Sequence, residues 1–171
     1  MPTRFLESEK DTEAVFRDFL SRATEFRSVP AILTGDMRPT WRIALLLISL
    51  SEACRGGAAD LTVLQVINWA LRQPEKWAEF ERILKRDLPL FHPIVRFDPT
   101  LNRAIDFAAA HGVVEIEPHL KVRISTKGRD FVRQLKESDA APFEEEILFL
   151  QRIKPSLTKV NLRRVLYGER R

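Results

Sequence analysis

The chain has 171 residues, 44% of them hydrophobic and 30% charged. That is the size and mix of one globular domain with a short extension, able to build a core without disulfides or metal. Its single cysteine, Cys54, excludes an internal disulfide framework and any Cys-cluster zinc site, and its three histidines show no ligand spacing. The first fifteen residues lack an apolar run, and the longest greasy stretch, residues 43–50, is far short of the ~20 residues of a membrane span. A cytoplasmic protein with no membrane partner is expected.

Residues 12–24 carry Val15, Phe16, Phe19, Leu20 and Ala23 at helical spacing behind Asp11. After Pro30 and Gly35 a second helix begins near Pro39 and runs to Cys54. It is apolar nearly all round, the mark of a central core helix, and Gly56-Gly57 ends it. Asp60 is placed to cap a helix over residues 61–71, and Pro74 to open another over 75–86. Pro89 and Pro93 impose a loop, and Ile94-Val95-Arg96-Phe97 reads as a short extended piece.

Asp98-Pro99-Thr100 opens the next helix, with Leu101, Ala104, Ile105 and Ala108 inward and His111-Gly112 at its end. Residues 113–117 and 120–124 alternate as two strands of a tight hairpin at Pro118-His119. Ser125-Thr126 then caps a helix over 127–136. Helix, two-stranded ribbon and helix in this order predict a mainly α chain with a small β-hairpin. The predicted fold is a winged helix-turn-helix over residues 37–138, with a helical insertion at about 74–98. An N-terminal helix and linker (1–36) precede it, and a C-terminal helical extension (139–171) follows. The segment ISTKGRDFVRQL resembles the "L-T-x-K-G-R" close of many bacterial winged-helix domains.

The net charge is +4, and the positive charge gathers late in the chain. Residues 119–136 hold six basic side chains against Asp130 alone, and residues 151–171 hold seven against Glu169 alone. The helix over 99–111 offers Arg103 against Asp106 and is otherwise rich in alanine, a poor reader of base edges. Lys121 and Arg123 share a strand face, and Lys127, Arg129 and Arg133 follow on the next helix. These five are the candidate DNA-backbone contacts; a solvated basic face is the plainer alternative. Trp69 and the stripe Phe143, Ile147 and Leu150 are candidates for a face that a larger partner covers. No phosphate loop, metal cluster or nucleophile elbow is found, so no catalytic residue, cofactor or metal is expected.

Three further runs are informative: Arg38-Pro39-Thr40-Trp41-Arg42-Ile43-Ala44-Leu45-Leu46-Leu47, then Cys54-Arg55-Gly56-Gly57, then Leu64-Gln65-Val66-Ile67-Asn68-Trp69-Ala70-Leu71-Arg72. Together they resemble the middle component of bacterial three-component ABC-ATPase systems, in which "RPxWR", "CRG" and "LxxLNWAL" recur. Val66-Ile67 departs from the leucine pair expected there. Those systems include the Lamassu-type anti-phage complexes. The resemblance implies a non-catalytic subunit that braces an SMC-like ABC ATPase, touches DNA backbone and holds an effector, often a nuclease. A free-standing winged-helix transcription regulator is the rival expectation, and a scaffold whose basic surface meets acidic protein is a third.

Overall fold

A computed structural model describes residues 39–89, 95–138 and 143–168, all within the compact unit Leu33–Arg171. The predicted helix over 12–24 lies outside the described residues, as does Ile94. The elements are α1 (Pro39–Glu52), β1 (Ala58–Asp60), α2 (Leu61–Leu71), α3 (Trp77–Lys85), α4 (Pro99–Ala110), β2 (Val114–Glu117), β3 (Lys121–Ile124), α5 (Thr126–Glu137), α6 (Glu144–Ile153) and α7 (Lys159–Tyr167). The chain is mainly helical, with one three-stranded antiparallel sheet in the order β1-β3-β2.

α1 is the axis of the core, as its all-round apolar sequence requires. It packs on α2, α4, α5, α6 and β3, and Leu46, Leu47, Ile48 and Leu50 are buried. Ser49, its one buried polar side chain, donates to the Leu45 carbonyl at 2.6 Å. Cys54 sits just beyond, and burial pushes its thiol up to about 12, the state of an inert small hydrophobe. A second packing focus joins α2, α3 and α6. Trp77 stacks on Phe149 at 4.4 Å, and its indole N–H donates to the Ala70 carbonyl. Phe80 touches both Phe149 and Trp69.

Three expectations need correcting. The hairpin is part of a three-stranded sheet, because β1 pairs with β3 through Ala58–Arg123, Ala59–Val122 and Asp60–Lys121. Three residues between a helix stop and a helix start are too few to show alternation, so the strand was invisible in the sequence. Asp60 makes no side-chain cap to α2 and ends that strand instead. Residues 95–97 are irregular and not a strand.

The turn between β2 and β3 is tight and strained. His119 and Leu120 both have positive φ, 63° and 58°. Asn-Gly suits such a pair of positions, whereas leucine there costs about 1–2 kcal/mol.

α5 is fastened directly to the end of α4. Ser125 caps α5 by accepting from the Gly128 amide, and its hydroxyl also donates to the Gly112 carbonyl at 2.8 Å. The Ser125 amide donates to the Val113 carbonyl at 3.1 Å. A Cβ on Gly128 would stand 2.2 Å from that same carbonyl oxygen, so only glycine permits the approach.

Candidate functional site

Residues of the first and third motif-like runs converge on one aspartate. Asp98 ends the irregular stretch before α4 and caps that helix, accepting from the Thr100 amide (2.9 Å) and hydroxyl (2.6 Å) at Oδ1. Its Oδ2 accepts from Arg42 at 2.8 Å, Arg72 at 3.0 Å and Asn68 at 3.5 Å. Gln65, buried on α2, brackets the Asp98 backbone: its Oε1 accepts from the Asp98 amide and its Nε2 donates to the Asp98 carbonyl. Burial alone would push the Asp98 carboxyl up. The Thr100 hydroxyl, the Arg42 guanidinium and the Thr100 amide outweigh it and hold the group well below the usual carboxylate range. Arg42, Gln65, Asn68 and Arg72 therefore fix where α4 starts. This hub is an architectural device, and periodicity could not find it because its members lie up to 56 residues apart.

The predicted DNA-contact residues divide into two groups. On the sheet, Lys121 and Arg123 do share a face, but the register places Glu117 opposite Lys121 and Glu115 opposite Arg123. Asp60 faces Lys121 from the other side. Arg123 is ion-paired and hydrogen-bonded to Glu117, which lowers the Glu117 carboxyl and raises the Arg123 guanidinium. Lys121 approaches the same carboxylate at 4.0 Å. Three carboxylates thus answer two cations, and this face carries no excess positive charge.

On α5 the picture differs. Arg133 pairs with Asp130 on its own helix at 2.8 Å, and the Lys127 ammonium donates to the His111 carbonyl at 2.9 Å. Arg129 is exposed, and its guanidinium lies against the glycine turn: a Cβ on Gly57 would come within 3.0 Å of both terminal nitrogens. Arg123 reaches the same turn, donating to the Gly56 carbonyl at 3.3 Å. The exposed Arg55 opens that turn. Arg55 is a basic residue that sequence reasoning missed, since Arg-Gly-Gly after a long helix reads as a helix stop. What remains for an anion is a small cationic patch around the Arg55–Gly57 turn and the start of α5.

The partner-facing stripe also needs correction. Leu150 is fully buried within the chain and Phe143 packs its ring on Trp41 at 4.1 Å, so both belong to the core. α6 turns its apolar face inward onto α1 and α3. Ile147 and Trp69 are half-buried and pack against that same core. α6 leaves Leu148 exposed, other exposed apolar side chains are scattered, and three stand on α4 and the hairpin: Phe107 (53% exposed), Ile116 on β2 (49%) and Leu120 at the strained turn (63%).

Among the described residues no group of three His, Cys, Asp or Glu side chains is placed to hold a metal ion, and no helix is long and apolar enough to cross a membrane. The chain matches no family model, no curated protein and no solved structure.

Proposed function

We propose that this protein is a non-catalytic winged-helix subunit of an anti-phage assembly of the Lamassu type. It would brace an SMC-like ABC ATPase and hold an effector of nuclease type. The order α1-β1-α2-α4-β2-β3-α5 supports the winged-helix reading, with α3 as the helical insertion and β2–β3 as the wing. α4 then stands in the place of a recognition helix.

One observation favours a subunit over a regulator. The outer face of α4 exposes Asn102, Arg103 and Asp106 beside Phe107, the hairpin next to it exposes Ile116 and Leu120, and the cations of the wing are answered by carboxylates. Base readout needs an array of donors and acceptors, and one asparagine and one arginine beside a carboxylate and a phenylalanine make a sparse one; phosphate contacts need unpaired cations on the wing. Contact with DNA is left to Arg55, Lys127 and Arg129, which suits a weak grip on backbone without choice of sequence.

The test is to express the tagged full chain together with its genomic neighbours and isolate it at moderate salt. The ATPase is expected to co-purify, and short unrelated duplexes to bind the complex with similar affinity. A chain that isolates alone and protects a single palindromic site, with protection lost in Arg103→Ala, would overturn the proposal in favour of the regulator.

A further inference from the structure

Between α4 and the β2–β3 hairpin lies a groove of about 290 Å³. Its walls include Leu61, Ile105, Ile116, Leu120 and Val122, and Asp106 is the one charge that lines it among the described residues. Asp106 is exposed and has no ion pair there. In a chain of sequence pI near 9.5, a greasy groove whose lining charge is negative repels phosphate and attracts a cation. We infer that this groove docks a helical segment of the ATPase subunit, one that seats a large apolar side chain between Ile116 and Leu120 and places a lysine or arginine against Asp106. The inference rests on the functional reading above and adds the site and the chemistry of its occupant.

Three independent features carry it. The first is volume: the space accepts one or two large side chains and is too small for a folded domain. The second is pairing of character. Helix-in-groove recognition uses apolar anchors three or four residues apart, and a cation one turn from the anchor would complement Asp106. The third is strain. Leucine at a left-handed position of a hairpin turn is a conformation that glycine or asparagine would hold at lower cost, and here it keeps a large apolar side chain 63% exposed at the groove rim. Strain held at an exposed site is a mark of binding surfaces, because folding alone gains nothing from it.

The strain supplies a variant that separates docking from folding. Leu120→Gly removes the side chain and relieves the backbone, so it should raise the melting temperature by about 2–4 °C. It should also weaken retention of the ATPase at least tenfold. Asp106→Arg should weaken retention by a similar factor without lowering the melting temperature, and Asp106→Asn by less.

Placement is read by p-benzoylphenylalanine at position 120 of the full chain, co-expressed with the ATPase, with the same probe at position 160 on α7 as the control. The expected adduct joins position 120 to an ATPase helix with a lysine or arginine within four residues of the crosslink. If the ATPase co-purifies and crosslinks from position 160 but not from 120, the groove inference falls and the functional reading stands. An adduct from position 120 to DNA or to a second copy of this chain also overturns the inference. If the wild-type chain retains no ATPase and neither position crosslinks to it, the functional reading falls, and the groove's occupant with it.

Discussion

Asp98 gathers two guanidiniums and a helix cap onto its carboxylate and a buried glutamine bracket onto its backbone, with 11% of its side chain exposed. Asp98→Asn keeps the cap to the Thr100 amide but removes the negative charge 2.8 Å from the sheltered Arg42 guanidinium. We expect a loss of about 2–3 kcal/mol at neutral pH, read by urea unfolding. The pH dependence has a definite sign. The folded carboxyl titrates below its ordinary value of about 3.9, so its contribution is complete above that value and is lost as pH falls towards the folded pKa. The stability gap between wild type and Asp98→Asn should therefore be constant above about pH 5 and should narrow below pH 4. A gap that persists unchanged at pH 3 would remove the carboxylate from that role. Arg164 is likewise turned inward: it is buried and donates to the Ile83 carbonyl in the last turn of α3 and to the Leu88 carbonyl beyond it. In the sequence it was only one of the seven basic residues near the C-terminus, since nothing local marks an arginine that folds inward.

At the scale of elements, helix starts and stops were legible because each rests on local chemistry. α2 was expected over 61–71 and occupies Leu61–Leu71; α4 begins at the Asp98-Pro99-Thr100 cap as expected. What the chain did not disclose was pairing between distant segments. β1 is too short for a pattern, and the carboxylates that answer Lys121 and Arg123 come from two other strands. The α6 stripe was read with the right period, but period alone does not say whether an apolar face meets the chain's own core or a partner. Gly128 illustrates how a distant contact decides a local choice. Alanine gains up to about 1 kcal/mol over glycine in a helix, yet a Cβ here strikes the Val113 carbonyl at 2.2 Å. Overpacking should win, and Gly128→Ala should lose about 1–3 kcal/mol in thermal or chemical unfolding. An unchanged or raised stability would mean that α5 does not lie this close to residue 113.

For the whole molecule, net charge is a poor guide to what the surface offers. The late excess of basic residues is real in composition but is consumed in part: Lys136 pairs with Glu52, Arg152 with Glu81, Arg133 with Asp130 and Arg123 with Glu117. If Arg55, Lys127 and Arg129 are the phosphate contacts, the slope of log affinity for duplex DNA against log salt should be about −2.7. Lys121→Ala should leave it unchanged, while Glu117→Gln, which frees Arg123, should steepen it by up to about 0.9. Flattening on Lys121→Ala would show that the sheet face does meet phosphates.

The fastening of α4 at both ends has a consequence for any partner that meets its outer face. The Asp98 hub holds its first turn, and the contacts from Ser125 and Lys127 to the Gly112 and His111 carbonyls hold its last. A helix pinned like a beam at two supports has little motion left to surrender when something settles on it. Association at this face then proceeds as rigid docking, without the entropy penalty of coupled folding. Its heat-capacity change should track the apolar area covered and no more, and differences among variants should emerge in how long the complex lasts rather than in how fast it forms.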